Sequence, residues 1–119
     1  MGEDRLEPLE YAREAVNIAS DMQATDIHML EVSNVCSFTD FFVIVSSDNR
    51  RQMAALSEEL IIALKKLGAV LHHKEGSVDS GWILLDLGSI LIHVFATEVR
   101  EHYRIGELWS SGRTVVRIQ

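Results

Sequence analysis

Residues 81–95 read Gly-Trp-Ile-Leu-Leu-Asp-Leu-Gly-Ser-Ile-Leu-Ile-His-Val-Phe. Two apolar runs, Trp82–Leu87 and Ile90–Phe95, flank the connector Gly88-Ser89. A two-residue connector beginning with Gly predicts a β-hairpin, because Gly reaches the positive φ that primed turns need. Closure on two residues sets Leu87 opposite Ile90, Asp86 opposite Leu91, Leu84 opposite His93 and Trp82 opposite Phe95. Cross-strand partners share a face of the sheet, so both faces can be written out. One is wholly aliphatic: Ile83, Leu85, Leu87, Ile90, Ile92 and Val94. It has to be core. The other mixes Trp82, Leu84, Asp86, Leu91, His93 and Phe95, and that is where function is expected.

The rest of the chain must cover this hairpin. Pro8 suits a first helical turn, where its missing N–H would have no partner in any case. Leu9, Ala12, Val16, Ala19 and Met22 then recur at helical spacing and predict an amphipathic helix over about 7–23. Asp26–Ser33 reads as a strand, Ser37–Asp40 as a turn and Phe41–Val45 as a strand covered on both faces. The polar run Ser46–Asn49 supplies N-cap residue types for a second helix. That helix carries Met53, Leu56, Leu60, Leu64 and Leu67 on one stripe and stops at Gly68. A short edge strand is expected at Val70–Lys74, then a polar loop over Glu75–Gly81. After the hairpin, Thr97 caps a short helix that places Val99 and Tyr103 on one side. Leu108-Trp109 closes the packed part, and Arg113–Gln119 forms a late edge strand or a loose tail. The expected order, α-β-β-α-β-β-β-α, makes an α/β fold: one domain with a mixed sheet of about five strands and helices packed on it.

Charge and cysteine content narrow the function. A net charge of −7 argues against a nucleic-acid binder, which needs a clustered basic surface, and favours a basic protein partner. The single cysteine, Cys36, cannot form an internal disulfide. The chain has no apolar run near the roughly 18–20 residues that span a bilayer, and its acidic start has no apolar h-region. A cytoplasmic protein without membrane association is expected.

Five histidines raise the question of a metal. His72 and His73 are adjacent and point to opposite faces of a strand. Neither a Cys-x-x-Cys nor a His-x-x-x-His spacing occurs, so no metal and no cofactor is expected. His93 and Asp86 lie one diagonal apart across the hairpin and are able to pair. Without an adjacent nucleophile, such a pair orders the sheet face and performs no chemistry. The Ser46–Asn49 run lacks the glycines of a phosphate loop and reads as a helix cap. Trp82 begins a strand beside a polar loop, either as a rim residue of the core or as an interface anchor.

In order and spacing, one set of segments resembles the ribosomal silencing factors, also called iojap-related proteins. The set comprises Asp40-Phe-Phe-Val-Ile44, Ser46 with Arg51-Gln52, Glu75-Gly76, Trp82, Leu85-Asp86-Leu87-Gly88, His93-Val-Phe95, and Arg100-x-x-Tyr103 leading to Leu108-Trp109. The likeness runs from about residue 9 to 109. It departs at Ser47 and Asn49, where the family usually has Gly and Ser, and at Gly106, where it usually has Glu. The resemblance implies a fold similar to a nucleotidyltransferase core without the catalytic acids. It also implies binding to the large ribosomal subunit through ribosomal protein fourteen, which blocks joining of the small subunit and represses translation when nutrients fall. The implied partner surface is Glu75, Gly76, Trp82, Asp86 and His93, with Arg100 and Tyr103. Trp82 would be the anchor, Glu75 would pair with basic residues, and Gly76 would let its loop fold against the partner. An enzyme using Asp86 with Glu31, Asp40 or Glu75 is the alternative, and a homodimer through the mixed face would compete with partner binding.

Overall fold

The computed structural model describes residues 6–103 and 113–118. Helix α1 spans Pro8–Asp21 and strand β1 Thr25–Glu31; β2 is Phe41–Ser47 and helix α2 Arg50–Lys66. Strands β3 (His73–Ser77), β4 (Trp82–Asp86) and β5 (Ile90–Ala96) follow, then helix α3 (Thr97–Tyr103) and β6 (Arg113–Ile118). The strands form one six-stranded sheet in the order β3-β4-β5-β2-β1-β6. Only β2 and β5 run parallel; the other neighbours are antiparallel. The mixed α/β architecture is as expected, and the sixth strand comes from the segment left open between edge strand and tail.

Local chemistry explains the helices. Pro8 opens α1, and the Glu10 carboxylate reaches back to accept the Glu7 N–H at 2.9 Å. Asn49 caps α2 by accepting the Gln52 N–H at 2.8 Å, and Lys65 and Lys66 sit in its last turn, where the dipole favours cations. Both helices bury their stripes on one side of the sheet: Ala12, Val16 and Ala19 from α1, and Met53, Leu56, Leu60 and Leu64 from α2. There they meet all six residues of the aliphatic hairpin face, together with Ile27, Met29, Val43 and Val45. No described helix is long and apolar enough to cross a membrane.

The hairpin closes as written, with Trp82 opposite Phe95, Leu84 opposite His93 and Asp86 opposite Leu91. β2 is buried along its whole length, because helices cover one face while its other face joins a second core of Leu30, Val32, Cys36, Phe42, Ile44, Leu91 and Phe95. The third strand differs from expectation. It occupies His73–Ser77 in place of Val70–Lys74, so Glu75 and Gly76 lie in an edge strand and not in a loop. Val70 stays half exposed, and pairing begins only where the backbone of His73 comes level with Asp86. The connection to β4 then shrinks to residues 78–81, braced by hydrogen bonds between Ser77 and Ser80.

Candidate functional site

The mixed hairpin face continues onto β3. Register sets His73 beside Asp86, Glu75 beside Leu84 and Ser77 beside Trp82. At this margin lies a cleft of about 240 Å³ lined by Glu75, Gly76, Ser80, Trp82 and Leu84. Its floor is apolar and half-buried at Trp82 and Leu84, and its rim carries the exposed Glu75, whose carboxylate sits 3.1 Å from His73. An aromatic floor with an acidic rim suits a protein contact, since Trp supplies large area and the rim fixes orientation.

Gly76 shapes this cleft. It adopts φ +83°, and a Cβ there would lie 1.9 Å from the Trp82 carbonyl oxygen. Only glycine allows β3 to come this close to β4 at that point. Gly76 thus lies in an edge strand and not in the expected loop, and there it holds the strand against the backbone of Trp82.

Behind the cleft stands an aromatic group. Trp82 stacks on Phe95 with ring centroids 5.0 Å apart, and the His93 ring lies 4.9 Å from Phe42 and 5.9 Å from Trp82. The Trp82 indole N–H donates to His93 Nδ1 at 3.2 Å. His93 is only 4% exposed, which removes it from the partner-facing rim where it was expected. Burial, reinforced by the charge of Arg100, pushes its pKa down to about 4. The anticipated pairing of His93 with Asp86 does not form. Asp86 Oδ1 instead accepts the Gly88 N–H at 2.9 Å and stiffens the hairpin turn.

Arg100 is likewise turned inward. From α3 its guanidinium donates to the Asp26 carbonyl and to Ser46 Oγ (2.8 Å), and lies 3.6 Å from the Asp26 carboxylate. Its side chain is 12% exposed. It joins α3 to the start of β1, where Asp26 takes φ +51° and the register with β2 shifts. Tyr103 ends α3, but its side chain lies outside the described residues, as do Leu108 and Trp109. Cys36 is buried in the second core.

The structure brings Glu75, Gly76 and Trp82 together at one margin, with Asp86 on the same face. Sequence reasoning missed Phe38, 66% exposed in the loop between β1 and β2. That loop packs Cys36 inward and runs past the hairpin turn, where the Asp40 N–H donates to the Ser89 carbonyl at 2.9 Å. The available signal was an aromatic residue set among the polar turn residues Ser37, Thr39 and Asp40.

Comparison with known proteins agrees with this architecture. The family model described as "Ribosomal silencing factor during starvation" matches residues 5–119. A ribosomal silencing factor of Halalkalibacterium halodurans is 31% identical over 101 residues, covering 85% of this chain and 86% of that protein. The mouse protein named mitochondrial assembly of ribosomal large subunit protein 1 is 31% identical over 98 residues, covering 80% of this chain and 43% of its own length. Among solved structures, a protein from Chromobacterium violaceum superposes with a TM-score of 0.84 at 30% identity, covering 88% of each chain. By sequence along nearly its whole length and by fold, this chain belongs to the ribosomal silencing factor family.

Proposed function

We propose that this protein represses translation by occupying the large ribosomal subunit. In this reading it binds ribosomal protein fourteen through the Trp82 face, keeps the small subunit from joining, and acts in the cytoplasm without catalysis. Family membership supports the ribosomal setting, and the mouse relative is named for assembly of the mitochondrial large ribosomal subunit. The observation that carries the reading is the Trp82 cleft: an apolar floor beneath an acidic rim, on a domain of net charge −7. Such a surface is complementary to the basic proteins that coat ribosomal RNA. Glu75 pairs there with Lys or Arg, and Trp82 is the central contact.

Asp86 and Glu75 share this face, yet Asp86 Oδ1 is held by the turn, and no group of three His, Cys, Asp or Glu side chains able to hold a metal ion occurs among the described residues. That arrangement favours occlusion over two-metal phosphoryl transfer, which needs free carboxylates converging on the ions. The test is co-sedimentation with purified large subunits followed by a subunit-joining assay. Trp82→Ala is expected to weaken binding by about 2–4 kcal/mol and to restore joining, while circular dichroism and the melting transition show a folded chain. Co-sedimentation of a folded Trp82→Ala variant at wild-type levels would refute the role of this face.

A further inference from the structure

We propose that His93 is the positioning residue for Trp82. Neutral, with its proton on Nε2, it fixes the indole orientation that the docking face presents, without itself touching the partner. The inference rests on the docking role proposed for Trp82, and the geometry around the two rings carries it.

The Trp82 indole N–H, a donor with no acceptor capacity, is directed at His93 Nδ1 across 3.2 Å. Accepting that proton requires Nδ1 to be bare, so a neutral ring must carry its proton on Nε2. His93 Nε2 is buried and has no hydrogen-bond partner among the described residues. A buried donor left unsatisfied costs about 1–3 kcal/mol, which an apolar residue packed on Phe42 would avoid. The presence of a histidine here despite that cost is explained by its other nitrogen, the one facing Trp82.

The surroundings make the contact directional. Phe42 lies against the His93 ring at 4.9 Å with an interplanar angle of 59°, and Phe95 lies under Trp82 at 5.0 Å and 26°. Stacking alone would allow the indole to slide or turn over on Phe95; the hydrogen bond selects one orientation. On the strand side, the close approach of Gly76 to the Trp82 carbonyl fixes the backbone from which the indole projects. Burial and the Arg100 charge both oppose a second proton and so keep the ring neutral, which leaves Nδ1 free to accept.

The test uses the full-length ¹⁵N-labelled protein, with Trp109→Phe identifying the Trp82 indole resonance. In the wild type, long-range ¹⁵N–¹H correlation is expected to show His93 protonated on Nε2, and the Trp82 indole proton to exchange slowly with solvent. His93→Leu, which keeps the volume but removes the acceptor, is expected to speed that exchange. It should also weaken binding to large subunits by about three- to tenfold, the worth of one net hydrogen bond. His93→Gln, whose side-chain oxygen can accept the indole proton, is expected to recover most of both.

A wild-type ring protonated on Nδ1 would overturn the inference, and this readout needs no variant to fold. So would a folded His93→Leu variant with unchanged indole exchange. If Trp82→Ala binds normally, the docking role fails by itself, while tautomer and exchange still decide whether His93 orients Trp82.

Discussion

Lowering the pH from 7 to 5 is expected to remove stability through His93. The ring has an ordinary pKa of 6.5 in the unfolded chain and one of about 4 in the fold, lowered first by burial and then by the Arg100 charge. A depressed histidine contributes stability that is present above the unfolded value and is lost as pH falls toward the folded one. The gap of about 2.5 between those values, at about 1.36 kcal/mol each, sets a ceiling near 3 kcal/mol. Roughly 2 kcal/mol of it falls between pH 7 and 5, where the unfolded ring has become charged and the folded one has not. Urea denaturation of wild type and of His93→Gln, followed by tryptophan fluorescence at pH 7, 6 and 5, measures this directly. The carboxylates titrate in both proteins and cancel in the difference. The stability advantage of wild type over the variant should therefore shrink by about 2 kcal/mol across that interval. A difference that stays constant to within about 0.5 kcal/mol would show that the buried ring takes up its proton as readily as a free one, and would refute the reasoning.

Gly76→Ala is expected to cost about 2 kcal/mol or more in chemical denaturation, because positive φ and the Trp82 carbonyl both oppose a Cβ, and to loosen the cleft. Arg100→Leu leaves the Asp26 carbonyl and Ser46 hydroxyl without this donor; a loss of about 1–3 kcal/mol in melting or urea titration is expected. If Arg100 instead faced the partner, that variant would lose binding with its stability intact. Phe38→Ala is expected to change stability by less than about 0.5 kcal/mol, as its ring is largely exposed. A drop in large-subunit affinity for this variant in co-sedimentation would extend the docking face to the β1–β2 loop, and wild-type affinity would bound it at the hairpin.

The hairpin was legible because two constraints coincide there: a Gly-Ser turn fixes register, and strict alternation of Ile83, Leu85, Ile92 and Val94 fixes which face is buried. The stripe of α2 was legible for the same reason, since Met53, Leu56, Leu60 and Leu64 leave one arrangement that hides them all. β3 was misplaced because its residues, His73 to Ser77, are all exposed and carry no hydrophobic period. What sets its register is the close approach at Gly76, a contact 6 residues distant in sequence that composition does not reveal. His93 and Arg100 were placed on the partner surface by the family resemblance, whereas an imidazole on an otherwise apolar strand reads from the residues alone as a hydrogen-bonded core histidine. In the fold each is drawn inward by a partner far along the chain, Trp82 for one and Asp26 with Ser46 for the other.

The left-handed residue in the outermost strand bears on how the protein behaves at high concentration. A regular, uncharged border of a sheet invites copies to add to it, whereas this border carries Lys74 and Glu75 and leaves the extended conformation at Gly76, where φ is +83°. The same glycine that seats the strand against Trp82 thus spoils the template for end-to-end growth, and straightening it would be expected to promote fibrous self-association as well as local loosening.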